Sequence, residues 1–159
     1  MKITCITVGK VKEKFYQQAI AEFQKRLSKY IKLEIIEITD EKTPDKAGEK
    51  LERQIKDTEG ERILKHIREN DYVIALAIEG KMMDSLEFSR KLEDLGINGT
   101  GRLVFVIGGS LGLSESVLKR SDEKLSFSRM TFPHQLMRVI LLEQIYRGFR
   151  IMHGEPYHK

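Results

Sequence analysis

Residues Val104 to Ser114 read Val-Phe-Val-Ile-Gly-Gly-Ser-Leu-Gly-Leu-Ser, and this stretch decides the fold. An apolar, β-branched and aromatic run, Leu103 to Ile107, breaks into Gly108-Gly109 and then passes into a segment of helical composition. The pattern is a strand ending in a loop whose backbone can approach a ligand, because residues without a Cβ leave room and tolerate φ > 0. The loop lies in the last third of the chain. A dinucleotide fold carries its glycine loop after the first strand, so this position argues for a different α/β architecture. The spacing agrees. No Gly-Lys-Ser/Thr follows, which excludes a P-loop, and Gly108, Gly109 and Gly112 do not match G-x-G-x-x-G.

Outward from this loop, strands alternate with helices. Lys2 to Val8 reads as a first strand and Leu33 to Ile38 as a second. Between them, Phe15, Ala19, Phe23, Leu27 and Tyr30 recur at helical spacing, predicting a helix over Lys12 to Tyr30. Asp45 to Asn70 is a long solvated helix or two helices broken near Gly60. Tyr72 to Ile78 is apolar throughout, as in a central parallel strand covered on both faces, and ends in a turn at Glu79-Gly80-Lys81. A helix over Ser85 to Leu95, a short one over Ser114 to Arg120 and a fifth strand over Leu125 to Phe127 follow. Pro133 opens a last helix, where its missing N–H costs little, running to about Met152. The expected class is α/β, a mostly parallel sheet with helices on both faces, in one domain over residues 1–159. A domain of this size buries roughly two-thirds of its unfolded surface.

The composition, 40% hydrophobic and 33% charged, is that of an ordinary globular protein. The single cysteine, Cys5, lies in an apolar run and reads as a buried core residue in a reducing compartment. No stretch approaches the roughly 20 apolar residues of a membrane helix, and the N-terminus is too short and wrongly flanked for a signal peptide, so a cytoplasmic location is expected. The formal charge of +4 is unevenly placed. Residues 119–159 hold eight basic side chains against four acidic, with three of the four histidines, while the rest of the chain balances. An anionic partner, most plausibly nucleic acid, would be met there, although scattered solubilising charges would look the same.

Three loops emerge together if the sheet is parallel: Glu79-Gly80, the glycine loop, and Ser126 to Phe132. The carboxyl ends of strands are where open α/β folds bind ligands, so the three are expected to converge on one small molecule. The last helix is apolar nearly all round from Leu136 to Leu142, which suggests a deep core position or, preferably in so short a chain, a subunit interface. The ending Gly154-Glu155-Pro156-Tyr157-His158-Lys159 has no periodicity and reads as a mobile tail, yet it concentrates groups suited to base stacking and proton transfer.

The combination of Val-Ile-Gly-Gly-Ser-Leu-Gly-Leu, Leu-Ser-Phe-Ser-Arg-Met-Thr-Phe-Pro-His, Leu-Leu-Glu-Gln-Ile-Tyr-Arg and the terminal Pro-Tyr-His closely resembles the RlmH family of the SPOUT methyltransferases, over essentially the whole chain. The resemblance implies a C-terminal deep trefoil knot, which pattern reasoning alone would never propose. It also implies a homodimer and methyl transfer from S-adenosylmethionine to ring nitrogen 3 of a pseudouridine in large-subunit ribosomal RNA, within the ribosome. The cofactor contacts it implies here are Leu76, Gly108, Phe127, Ser128, Arg129, Met130, Thr131 and Phe132. They fall on the three loops already singled out.

Methyl transfer from a sulfonium needs alignment rather than a metal. A uracil-type ring nitrogen carries a proton, so some group must accept it or stabilise the anion. Tyr157 and His158 are the expected catalytic pair, with His153 and His134 as other acceptors and water or backbone as competitors. Arg129, His134, Arg138 and Lys159 are expected to face RNA. The competing reading is a non-catalytic RNA-binding dimer of the same fold.

Overall fold

The computed structural model describes residues 1–159 and contains, in order, β1 (Lys2–Val8), α1 (Lys14–Leu27), β2 (Lys32–Ile38), α2 (Glu49–Leu64), β3 (Tyr72–Met82), α3 (Ser85–Ile97), β4 (Arg102–Ile107), α4 (Glu115–Arg120), β5 (Glu123–Ser126) and α5 (His134–Met152). The strands form one sheet in the order β2-β1-β4-β3-β5, with every pair parallel. Period-two alternation divides the core. Ile3, Cys5, Leu103 and Phe105 face α1, α3 and α5, where Leu27, Leu92 and Leu141 meet them. Ile6, Val8, Val104 and Val106 face α2 and α4, against Ile63 and Val117. Each such buried side chain contributes about 1.5–3 kcal/mol relative to exposure. Burial also pushes the Cys5 thiol up to about 12, which leaves it inert as a nucleophile.

Of the two readings at Gly60 the unbroken helix holds, and the strand end expected at Glu79 is not an end. α2 runs straight through Gly60, because that glycine marks a close approach: a Cβ there would lie 2.3 Å from Ser114 Oγ, the cap of α4. β3 does not stop at Glu79 but continues to Met82. Leu76 and Lys81 both pair with Leu125, so Ala77 to Gly80 bulge out of the ladder between them. Gly80 then crosses β5 so tightly that a Cβ would stand 2.7 Å from the Lys124 carbonyl carbon. The residues expected to form a turn that ends the strand form a bulge within it instead.

At the amino edge of the sheet, Arg102 clamps Asp71 through Nε at 2.9 Å and Nη2 at 2.6 Å, both side chains buried. Burial alone would raise the Asp71 carboxyl, but the Arg102 guanidinium and the Arg68 amide outweigh it and hold it below its usual range. This contribution is present above the ordinary carboxylate pKa and is lost as pH falls through the depressed value.

β5 lies at the outer edge beyond β3, yet α5 packs on α1 and α3 and reaches β1 through Arg138. Residues 127–133 therefore cross the carboxyl ends of β3 and β4. This crossing builds the site.

Candidate active site

β4 is buried along its whole length and delivers its last residue, Ile107, to the carboxyl edge of the sheet. Gly108 to Gly112 then turn back on themselves, with the Gly112 amide donating to the Gly109 carbonyl at 3.1 Å. Gly112 takes φ +88°, and Gly108 is packed so closely against it that a Cβ would sit 2.8 Å from the Gly112 carbonyl carbon. Beside this loop, the Ala77–Gly80 bulge and the 127–133 crossing enclose a cleft of about 510 Å³. Its apolar part includes Leu76, Ile107, Leu125, Phe127, Phe132 and Met137. Ser128 and Thr131 add hydroxyls, and the Ser128 Oγ accepts the Met130 amide at 2.9 Å, which holds the crossing in a local turn.

The three expected loops therefore converge. Leu76, Gly108, Phe127, Ser128, Met130, Thr131 and Phe132 all line the cleft. Arg129 does not: its side chain is exposed, outside the lining. Lys56 from α2 and Glu115 from α4 line it as well. Neither carries a sequence signature: Lys56 is one charge among many on a helix read as solvated, and Glu115 a single charge on a short helix.

Electrostatically the cleft is mixed. His134, at the start of α5, lines it, and burial followed by the Arg138 charge holds its imidazole below the usual histidine pKa, against Asp40. The ring is therefore neutral near pH 7, free to accept a proton or a hydrogen bond. Behind the glycine loop, burial raises the Glu59 carboxyl above its usual range; the Glu41 amide opposes this, while the Asp40 and Glu41 charges add to it. A nucleoside bearing a charged amino-acid chain suits this lining, with an apolar slot for a base beside hydroxyl and charged groups.

Two expectations are corrected. Arg138 does not face RNA. It is 4% exposed, pairs with Glu37 at 2.8 Å, and donates through Nη2 to the Val8 and Gly9 carbonyls at 2.7 and 3.0 Å. A guanidinium surrounded by such partners holds α5 to the end of β1. The C-terminal tail is not a loose end either. Tyr157 packs edge-on against Tyr146, with ring centroids 5.0 Å apart, under the Arg147 guanidinium. Arg150 donates to the Pro156 carbonyl at 2.9 Å, Glu155 accepts from Tyr30 at 2.8 Å, and His158 Nδ1 accepts from Arg147 at 3.2 Å. Burial, then Glu143, raises the Tyr157 hydroxyl above its ordinary pKa. Lys159 is exposed.

The tail and the cleft are apart within one chain. Tyr146, which carries the Tyr157 ring, lies twelve residues after His134 on α5, about 18 Å along the helix axis. Tyr157 and His158 thus do not reach the cleft of their own chain in this conformation. The face of α5 turned from the core keeps Leu136, Val139 and Ile140 only half-buried, whereas Leu141, Leu142 and Ile145 are fully buried.

A family model described as "Predicted SPOUT methyltransferase" matches residues 1–158. The chain is 64% identical to the ribosomal RNA large subunit methyltransferase H of Bifidobacterium adolescentis over 159 residues, covering 100% of both chains. It is 64% identical to the protein of that name from Clostridium tetani and 60% identical to that from Enterococcus faecalis, again over the full length of each.

Proposed function

The chain belongs to the SPOUT methyltransferase family, and on that premise we propose that it transfers a methyl group from S-adenosylmethionine to ring nitrogen 3 of a pseudouridine in large-subunit ribosomal RNA, as a homodimer. It is a ribosomal RNA methyltransferase; the cofactor, the target atom and the assembly are the parts proposed. The observation that carries the reading is the convergence of the Leu76 end of β3, the Gly108 loop and the Phe127–Phe132 crossing on one cleft. The deep trefoil threading belongs to the same proposal, and the crossing of β3 and β4 by residues 127–133 supports it.

Leu76, Ile107, Leu125 and Phe127 would receive the adenine, with Ser128, Thr131 and backbone groups of the crossing on the ribose. Lys56, Glu79 and Glu115 line the cleft where they could meet the charged amino-acid end. When bound, the cofactor supplies an electrophilic methyl on a sulfonium. The protein aligns the base with it and manages the N3 proton. Tyr157 and His158, held on α5 far from their own cleft, are assigned to the neighbouring subunit's cleft. The apolar face of Leu136, Val139 and Ile140 is assigned to the interface that brings them there.

Two measurements test this. Purified protein with radiolabelled S-adenosylmethionine and ribosomes from cells lacking this enzyme is expected to place label on N3 of a single pseudouridine; no incorporation into large-subunit RNA overturns the reading. Sedimentation at micromolar concentration is expected to give a dimer for the native chain and monomer or aggregate for Ile140→Glu. A stable native monomer overturns the assembly.

A further inference from the structure

The connection between β1 and α1, with the first residues of α1, is a lysine-rich segment outside the cleft lining that the site does not use. Lys10, Lys12 and Lys14 are all exposed, and none of them joins an ion pair. Lys14 opens α1, whose first turn contains no acidic residue; the N-cap Glu13 is the one carboxylate among the three lysines, and its side chain makes neither a capping hydrogen bond nor an ion pair. Phe15 follows, 62% exposed, with its ring 4.4 Å from that of Tyr16. Unpaired lysines beside an exposed aromatic ring are the combination that single-stranded nucleic acid requires: cations for phosphates, a flat face for an unpaired base.

The segment is held firmly. Between the lysines, Val11 is buried; its amide donates to Glu37 Oε2 at 3.2 Å and its carbonyl accepts from Gln17 Nε2 at 2.8 Å. The same Glu37 oxygen accepts from Arg138, which also holds the Val8 and Gly9 carbonyls. The buried arginine therefore serves the lysines by fixing the backbone that presents them. The connection also begins at the cleft wall, since a Cβ on Gly109 would lie 3.2 Å from Val8 Cγ1, and His134 lines the cleft one turn before Arg138.

We propose that Lys10, Lys12, Lys14 and the Phe15–Tyr16 pair form a docking surface for single-stranded ribosomal RNA flanking the target nucleotide, the lysines on its phosphates and the Phe15 ring under an unpaired base. This rests on the ribosomal RNA methyltransferase reading above. It deepens that reading by placing substrate recognition in residues 1–118, the part of the chain whose net charge is zero.

The test uses full-length protein and ribosomes from cells lacking the enzyme, with binding measured across a salt series. The triple variant Lys10→Ala/Lys12→Ala/Lys14→Ala is expected to keep native S-adenosylmethionine affinity and dimer sedimentation. Its ribosome affinity should fall about ten- to a hundredfold at physiological salt, with a log–log salt slope shallower by about two units, since each single-strand phosphate contact contributes about 0.7. Phe15→Ser is expected to weaken ribosome binding at least about fivefold through lost stacking, with the salt slope unchanged. Native slope and affinity in the triple variant overturn the phosphate contacts. A Phe15→Ser chain that sediments as a monomer assigns the ring to an interface between copies and overturns the stacking. A native chain that neither binds nor methylates ribosomes overturns the underlying reading instead.

Discussion

A chain ending at Glu155 is expected to bind S-adenosylmethionine within about a factor of three of the native protein and to lose methyl transfer by about 10²- to 10⁴-fold, the range spanned by removal of a positioned acid or base. The cut spares Glu155, so the contact joining Tyr30, Glu155 and Arg150 remains and α5 keeps its anchor on α1. It removes Tyr157 and His158, which the structure places against Tyr146 and Arg147 rather than in the cleft of their own chain. Calorimetry with the cofactor and a single-turnover methylation assay separate the two effects. Mixed dimers then assign the tail to a subunit. One chain lacks residues 156–159 and its partner carries Gly108→Val, so the only intact cleft belongs to the tail-deleted chain. Substantial activity is expected, because the one intact tail would reach that cleft across the interface. Native rates in the truncated homodimer would reduce the tail to a packing element on α5 and move the proton acceptor elsewhere, with His134 the first alternative inside the cleft.

Gly108→Val is expected to lower S-adenosylmethionine affinity at least a hundredfold in a chain that still folds. Its cause is not a branched side chain standing where the ligand goes. The Cβ itself would lie 2.8 Å from the Gly112 carbonyl carbon and 2.9 Å from its oxygen, so the loop must open to accept it. Gly108→Ala should therefore lose nearly as much. Gly109→Ala meets only side chains, Val8 Cγ1 at 3.2 Å and Glu59 Oε1 at 3.4 Å, and should lose less. The core positions of β4 end before the loop, so the stability cost should stay within about 1–3 kcal/mol, a shift of a few degrees in Tm. Native affinity in a folded Gly108→Ala chain would remove the glycine loop from the cofactor site.

The layering was legible because it is a local property. Continuous apolar runs at Tyr72–Ile78 and Leu103–Ile107 demanded cover on both faces; α1 and α3 supply it on one face, α2 and α4 on the other. The cleft was legible for a related reason: in a parallel sheet all carboxyl ends lie on one edge, so three loops named separately must meet. The turn expected at Gly80 was a misreading and the choice between one helix and two at Gly60 stayed open for one reason: composition records a glycine but not what presses on it. Gly60 makes room for Ser114 and Gly80 for the backbone of β5.

By itself, then, the sequence determined the parallel α/β class, the binding edge and the loops that line it, since hydrophobic period and glycine placement are written along the chain. The tertiary structure alone decided what each charged or aromatic group does there. Arg138 looked like an RNA contact until the fold set it beside Glu37, 101 positions away, and gave its guanidinium buried carbonyls to hold. Lys10, Lys12 and Lys14 sat in the electrically neutral part of the chain until folding left them exposed and unpaired beyond Val8, the residue packed on Gly109 of the glycine loop. Tyr157 looked mobile until Tyr146 and Arg147 covered it. A charge or a ring takes its role from the partner it meets, and partners so distant in sequence are chosen only by the packing of the whole chain.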